Sequence, residues 1–136
     1  MIWMLDTNTL IYFISRKPNH ERVARRMSGR SPGELRMSAI TLAELRFGIA
    51  QSERARENEA TLDELLGLVQ ADDFPAGAAR DFGRIKATLL RRGRPIGPYD
   101  LLIAAHAHHI GATLVTNDER EFRRVPGLAV QNWLRA

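Results

Sequence analysis

Four acidic side chains have the chemical type and the positions to bind a divalent cation: Asp6, Glu44, Asp100 and Asp118. Each lies within or beside an apolar segment rather than on a charged face. Because desolvating a carboxylate is costly unless the charge is paired or binds a cation, isolated acids of this kind need a partner. Two unit charges about 4 Å apart repel by roughly 4 kcal/mol at an effective dielectric near 20. A shared site therefore requires a hard cation, Mg²⁺ or Mn²⁺, and such cations commonly act on phosphate esters.

The elements that must position these acids alternate between strands and helices. Buried strands are predicted at 2–5, 35–40 and 112–116, a weak strand within 69–74, and an edge strand at 128–130. Helices are predicted near 10–14 and 23–27, and over 41–50, 62–69, 78–89 and 99–110, from apolar residues spaced three and four apart or from adjoining Gly and Pro. This alternation predicts an α/β architecture around a mostly parallel sheet.

The predicted elements bring the four acids to one edge of the sheet. Asp6 directly follows the first strand, and Asp118 comes just after the strand that ends at Thr116. Glu44 lies in the first turn after the second strand, and Asp100 in the first turn of a helix after Gly97-Pro-Tyr. In open α/β sheets, ligands bind beyond the carboxyl ends of the strands. The sequence therefore predicts a four-carboxylate site at that edge.

Each acid also has a structural interpretation when it is taken alone. Asp6 is a preferred residue type for capping the helix that follows it. Thr41 and Glu44 fit a capping box, in which the glutamate accepts from the backbone amide of the threonine. Asp100 could serve as a dipole partner in a first helical turn, and Asp118 as an ordinary turn residue. The convergence of all four on one edge favours the cation site.

Other reactive constellations are weaker. The 136 residues contain no cysteine, which excludes disulfides and thiolate ligands within the chain. His106, His108 and His109 lack the intervening glutamate of a zinc-protease motif, so they are expected to be exposed or packing residues. The glycines of 93–97 are not followed by the lysine of a phosphate-binding loop, and no serine lies in a nucleophile elbow.

The charge balance favours an anionic partner. The formal net charge is +4 with a pI of about 10.3, and 18 of the 20 basic residues are arginine, the others being Lys17 and Lys86. Arginine suits bidentate phosphate contacts, and the groups at 22–26 and 91–94 are candidates, although arginine-rich codon usage explains the same composition and such runs are usually solvated faces. No apolar stretch approaches the roughly 20 residues of a membrane span, and no signal peptide is recognisable, so a cytoplasmic protein without membrane contact is expected.

Four segments together give the chain a strong resemblance to the PIN-domain ribonucleases, and among them to the VapC toxins of type II toxin–antitoxin systems. The segments are MLDTN at 4–8, SAITLAEL at 38–45, GRPIGPYDLLIAAHA at 93–107 and TLVTNDEREFRRVPGL at 113–128. The resemblance covers nearly the whole chain and implies a single PIN domain over 1–136. Its fold would be a Rossmann-like three-layer α/β/α sandwich with an acidic pocket at the carboxyl edge of the sheet.

The resemblance also implies roles for individual residues. The acids that bind the catalytic Mg²⁺ or Mn²⁺ in the family carry over onto Asp6, Glu44, Asp100 and Asp118. The polar residues that position substrate or support these ligands carry over onto Asn8, Thr41, Thr116 and Asn117. The implied chemistry is cation-dependent hydrolysis of phosphodiester bonds in RNA, with transfer RNA the first candidate class, followed by inhibition of translation. A VapB-type antitoxin would neutralise the protein, and a homodimer is expected, with residues 11–14 available for either interface.

Three other functions compete with the toxin. A PIN nuclease could act in RNA processing or cut DNA outside any toxin role. A catalytically silent RNA-binding module is less favoured, because all four acids are retained. A phosphoacceptor receiver domain needs its aspartate after a central third strand and a lysine late in the chain, whereas here the aspartate follows the first strand and no lysine lies beyond Lys86.

Overall fold

The computed structural model describes residues 1–135 and places five short strands in one sheet. The strands are β1 (Trp3–Leu5), β2 (Leu35–Ser38), β3 (Gln70–Asp72), β4 (Thr113–Val115) and β5 (Val130–Gln131). Their order across the sheet is β3-β2-β1-β4-β5, and all four pairings are parallel. Because the strands are parallel, all five carboxyl ends lie at the same edge, which we call the carboxyl edge.

Strand β1 occupies the centre of the sheet and marks its switch point. Trp3 is in register with Leu35 of β2 on one side and with Thr113 of β4 on the other. After β1, the strands β2 and β3 are added on one side of it, and β4 and β5 are then added on the other side. In open α/β sheets a crevice forms where the strand order reverses in this way, so a ligand-binding site is expected at the carboxyl ends of β1 and β4.

Seven helices complete the chain between residues 1 and 135. They are α1 (Thr7–Ile14), α2 (His20–Met27), α3 (Ala39–Gln51), α4 (Ala55–Leu66), α5 (Ala78–Arg91), α6 (Pro98–His109) and α7 (Glu119–Phe122). The predicted helices are all present, and α6 ends as expected before Gly111, whose φ of 70° is the left-handed conformation that glycine adopts without strain. None of the helices in this described part of the chain has the length and apolar character needed to cross a membrane.

The side chains of the central strands point alternately into two hydrophobic cores, one on each face of the sheet. Trp3 and Leu5 of β1 pack into a core built with α1, α2, α3 and α4, whereas Met4 between them packs into a core built with α5 and α6. Val115 and Leu114 of β4 divide in the same way. Successive side chains of a strand point to opposite faces, so both faces of the sheet are covered by helices. The predicted three-layer α/β/α sandwich is confirmed.

Several predicted boundaries differ from the structure; the helix predicted over 62–69, for example, is α4, which begins at Ala55 and ends at Leu66. The strand predicted at 35–40 ends at Ser38, because Ser38 caps α3 by accepting a hydrogen bond from the backbone amide of Ile40 (3.1 Å). Helix α3 therefore begins two residues before the predicted position. The edge strand predicted at 128–130 lies instead at Val130–Gln131, where its pairing with β4 fixes the register.

Candidate active site

Asp6 lies at the carboxyl end of β1 and is almost completely buried, with 2% of its surface exposed. Its Oδ1 accepts a hydrogen bond from the backbone amide of Thr9 (2.9 Å), so the predicted helix cap is real. Burial raises the pKa of Asp6; the Thr116 hydroxyl and the Thr9 amide oppose this shift, and the charge of Asp118 adds to it. A helix cap does not require a second carboxylate beside it, so capping alone does not explain why Asp6 is buried near Asp118.

Glu44 points from the first half of α3 toward α1. Its Oε1 accepts a short hydrogen bond from the hydroxyl of Thr7 (2.6 Å), and the Thr7 hydroxyl lies 3.3 Å from that of Thr41. The capping-box interpretation of Thr41 and Glu44 is wrong, because Ser38 caps α3 and Thr41 already lies inside the first turn. Glu44 is thus held by an element distant in sequence rather than by its own helix terminus.

Asp100 occupies the first turn of α6, directly after Pro98 and Tyr99, as predicted. The pKa of this half-buried carboxyl is raised to about 7, first by burial and then by the negative charges of Glu121, Asp6 and Glu44. The helix dipole favours ionisation at this position, but burial and the neighbouring negative charges outweigh it. Three other acids are therefore close enough to Asp100 for their charges to raise its pKa.

Asp118 and Glu121 lie together at the carboxyl end of β4. The backbone amide of Asp118 donates to the hydroxyl of Thr116 (2.9 Å), and Asp118 caps α7 through the amide of Glu121 (3.4 Å). Glu121 accepts from the backbone amide of Gly97 (3.2 Å), and its pKa is raised, first by burial and then by Asp118.

Glu121 is an acid of the site that was not predicted from the sequence. The sequence pattern that could have predicted it is the spacing of Asp118 and Glu121. They are three residues apart at the start of a helix, so their side chains face the same direction. Thr7 was also missed, although it follows Asp6 directly and a buried hydroxyl needs a hydrogen-bond partner.

The four polar residues predicted to support the site differ in their surroundings. Thr41 and Thr116 are fully buried and lie against Thr7 and the Asp118 backbone, respectively. Asn8 is exposed at the start of α1, and Asn117 is half-buried between Thr116 and Asp118. Thr41 and Thr116 are therefore placed to hold acids in position, whereas Asn8 is accessible to solvent and lines the groove beside Glu44.

Five acids at this edge have no basic partner within salt-bridge distance in residues 1–135: Asp6, Glu44, Asp100, Asp118 and Glu121. No three His, Asp or Glu side chains of the described chain are already gathered as a ligand cluster. Mg²⁺ usually keeps several waters and takes only one or two protein carboxylates, so a looser ring of acids suits it. Carboxylate and hydroxyl oxygens are the donors that a hard divalent cation prefers.

An apolar groove borders the acids. It has a volume of about 500 Å³ and shares Thr7 and Glu44 with them. Phe47 of α3 and Tyr99 of α6 line it while remaining 63% and 58% exposed. Large aromatic side chains left in solvent beside a polar site indicate a surface that binds a partner.

The three neighbouring histidines take no part in the acidic site, as predicted. His106 is buried, and its Nδ1 lies 2.9 Å from the hydroxyl of Ser38. His108 and His109 both contact Asp81 on α5, at 2.6 Å and 3.2 Å. They join the far ends of α5 and α6, away from Asp100.

Comparison with known proteins agrees with this geometry. A family model described as the PIN domain matches residues 3–128. The chain is 39% identical over 131 residues to the tRNA(fMet)-specific endonuclease VapC of Salmonella typhimurium, which covers 96% of this chain and 97% of that protein. It is 38% identical over 138 residues to Ribonuclease VapC2 of Rickettsia felis, covering 98% of both.

Solved structures give the same result. The DNA-bound VapBC structure from Salmonella typhimurium matches with a TM-score of 0.90 and 38% identity over 98% of both chains. VapBC2 from Rickettsia felis, bound to a DNA fragment from its promoter, matches with a TM-score of 0.87 and 36% identity over 98% of this chain and 99% of that one. The chain therefore belongs to the PIN-domain family and, within it, to the VapC group.

Proposed function

We propose that this chain is a VapC-type endoribonuclease toxin that hydrolyses phosphodiester bonds in transfer RNA with the help of Mg²⁺ or Mn²⁺. The observation that carries the proposal is the ring of acids at the carboxyl edge, in which Asp100 has a pKa raised to about 7 by burial and by the acids around it. The full-length similarity to a tRNA(fMet)-specific endonuclease makes the initiator tRNA the first substrate to test. Cleavage of that tRNA would inhibit translation.

The acids are the groups that would hold the cation. Asp6, Glu44, Asp100 and Asp118 are the ligands we propose, and Glu121 joins them because its charge acts on Asp100. When bound, the divalent cation supplies neutralisation of phosphate charge and lowers the pKa of coordinated water.

The surrounding residues keep these acids in place. The Thr7 hydroxyl orients Glu44, and Thr116 contacts both the Asp6 carboxyl and the backbone of Asp118. Thr41 supports Thr7 from α3. Asn8 is exposed and Asn117 half-buried beside Asp118, and we propose that both orient the RNA through amide hydrogen bonds.

We also propose a VapB-type antitoxin as the protein partner. Relatives with the same fold are found in VapBC complexes. The apolar groove lined by Phe47 and Tyr99 supports this proposal, since a segment lying in it would also cover Glu44. Homodimerisation and a single catalytic domain over 1–136 stay predictions from the family.

The decisive experiment is cleavage of purified initiator tRNA by antitoxin-free protein, with Mg²⁺, with Mn²⁺ and with EDTA. We expect discrete fragments with either metal and none with EDTA. Asp6→Asn should abolish cleavage, because an amide lacks the negative charge that a divalent cation needs. Asp63→Asn is the matched control, since Asp63 is exposed on α4 and lies outside the ring of acids.

Other outcomes separate the competing functions. Cleavage of DNA or of RNA precursors, with tRNA left intact, would favour a PIN nuclease outside a toxin role. Tight RNA binding by folded protein without cleavage under any metal would indicate a catalytically silent binding module. Cleavage that Asp6→Asn leaves unchanged would contradict the assignment of the site.

A further inference from the structure

A pocket rich in arginine lies on the face of the sheet that carries α2. It has a volume of about 270 Å³ and is lined by Arg22, Arg25, Arg26, Trp133 and Arg135. Four of these five residues carry a permanent positive charge. We call this feature the arginine pocket.

The arginine pocket is connected to the carboxyl edge, where the acidic site lies, through Arg135. The backbone of Trp133 follows β5 after a single residue, whereas its ring packs back against that of Trp3 in β1, with the ring centroids 5.5 Å apart. Arg135 bonds through Nε to Glu119 Oε2 at 2.7 Å, and Glu119 is the residue directly after Asp118. The pocket is therefore joined to the acidic ring by one ion pair and one peptide bond.

Backbone and aromatic contacts hold one guanidinium group and the aromatic wall of the pocket. Arg22 Nη1 donates to the backbone carbonyl of Leu134 (2.9 Å), which ties α2 to the segment after β5. Trp133 is 1% exposed and forms a rigid wall. Arg30 covers its outer side, with the guanidinium 5.1 Å from the Trp133 ring and 4.6 Å from that of Trp3.

The positive charge of the pocket is not balanced within residues 1–135. Arg135 has Glu119 as a partner, whereas Arg22, Arg25 and Arg26 have no carboxylate of the described chain within 4.0 Å. Three like charges gathered on one turn of α2 repel one another, so an anion would stabilise the arrangement.

We propose that the arginine pocket binds a backbone phosphate of the RNA substrate at a distance from the bond that is cut. This inference rests on the proposed ribonuclease function. An RNA chain that approaches five acids is repelled until a cation and nearby positive side chains offset that repulsion. Guanidinium groups bind phosphate oxygens through paired N–H donors, and the rigid Trp133 wall limits the freedom that binding would remove.

An acidic segment of a partner protein is the competing occupant. A protein partner needs apolar contact as well as charge, and the apolar surface beside the site is the groove at Phe47 and Tyr99 rather than this pocket. The apolar lining of the arginine pocket comes from Trp133, and this side chain is almost fully buried. The observations therefore favour a phosphate.

The test measures binding of fluorescein-labelled initiator tRNA to Asp100→Asn protein by fluorescence anisotropy over a range of salt concentrations. Because this parent is expected to bind but not cut, the measurement does not depend on catalysis. The test variant adds R25Q and R26Q. The matched control adds R80Q and R84Q, which remove the same charge from exposed positions in the first half of α5, near the His108 and His109 end of α6.

We expect the test variant to bind tRNA at least about tenfold more weakly at low salt. The slope of log affinity against log salt should fall by about 1 for each phosphate that the variant can no longer neutralise. The control should change little. Arg25→Lys with Arg26→Lys keeps the charge and should restore most of the salt slope. Equal melting temperatures of the variants would exclude unfolding as the cause.

Three results would overturn the inference. One is a test variant that binds tRNA as tightly as the control does. Another is a parent protein that binds no tRNA at all. The third is a test variant that loses affinity for the purified antitoxin alone, which would assign the pocket to that partner. Failure of the proposed function alone looks different: the parent still binds tRNA and the test variant still binds it less tightly, but the unmutated chain does not cleave it.

Discussion

At the scale of single residues, Asp100 shows how the acids influence one another. Its pKa is raised to about 7 by burial and by three neighbouring carboxylates. A folded state with a raised carboxyl pKa binds more protons than the unfolded state does between that pKa and the ordinary value of 3.8. The free energy of unfolding of the metal-free protein therefore falls as the pH rises from about 4 to about 7.

Asp100→Asn should remove this pH-dependent decrease in the free energy of unfolding. In EDTA at pH 8, we expect the variant to be more stable than the unmutated protein by on the order of 1 kcal/mol, after allowance for the solvent-exposed part of the side chain. The difference should shrink toward pH 4. Urea unfolding at several pH values measures it. Mg²⁺ should stabilise the unmutated protein and have a smaller effect on the variant.

Asp6→Asn provides the companion measurement. Asparagine also caps helices, so the metal-free variant should stay folded and be at least as stable as the unmutated protein. Marked destabilisation of both variants in thermal melting would favour structural roles for these acids over a cation site.

Thr7 gives a residue-scale prediction about positioning. Thr7→Val keeps the shape of the side chain but removes the hydroxyl that donates to Glu44 at 2.6 Å. Residues that orient metal ligands typically contribute about 10–100-fold to activity or metal affinity, so we expect a loss of that size in tRNA cleavage and a higher Mg²⁺ requirement. Thr7→Ser should restore both. A purely structural role would lower the melting temperature without changing the Mg²⁺ requirement.

At the scale of elements, the start of α3 depends on a hydrogen bond from across the sandwich. Ser38 caps α3 and also bonds His106 of α6, whose pKa is lowered by burial. A buried histidine with a lowered pKa binds fewer protons than the unfolded chain does, so stability falls as the pH drops below its ordinary 6.5. Because Ser38 contacts both helices, the position of α3, which carries Glu44, depends on that of α6, which carries Asp100.

Ser38→Ala should destabilise the protein by about 2–4 kcal/mol, because it removes the cap and leaves the buried His106 ring without its partner. Ser28→Ala is the control, since Ser28 is an exposed residue at the end of α2, where its backbone amide rather than its side chain closes the helix. Chemical denaturation measures the difference. A change below about 0.5 kcal/mol, the usual limit for a surface substitution, would show that this contact does not hold α3 in place.

At the scale of the whole molecule, two surfaces of different character accompany the acidic site. The groove at Phe47 and Tyr99 is apolar, whereas the arginine pocket is strongly positive. A protein segment and a polyanion would therefore use different surfaces. A segment bound in the groove would leave the arginine side chains of the pocket accessible.

Phe47→Asp tests the apolar side. We expect at least about tenfold weaker binding of the purified antitoxin, because a charged group would replace an aromatic contact of the kind that dominates interfaces. Leu68→Asp is the matched control, since Leu68 is 61% exposed and lies after α4, outside the groove. Isothermal titration calorimetry gives both affinities. If Phe47→Asp bound the antitoxin as tightly as the unmutated protein does, the antitoxin would have to bind another surface.

Most of the fold could be predicted from the sequence because it depends on local patterns. The apolar segments at 2–5 and 112–116, together with the three-and-four spacing after Leu62 and Ala78, determine which residues form strands and helices. Asp6 and Asp118 were predictable as members of one edge, because both follow strands and parallel strands end together.

The tertiary structure decided what depends on distant neighbours. Glu44 matches a capping box within its own helix, yet Thr7, 37 residues away in sequence, is its partner. Glu121 is one acid among several in a polar segment until Gly97 and Asp100 are brought beside it by α6. Local sequence determines secondary structure and strand ends; hydrogen bonds and charge interactions between remote elements exist only after packing, so the full acidic ring and the arginine pocket are properties of the folded chain.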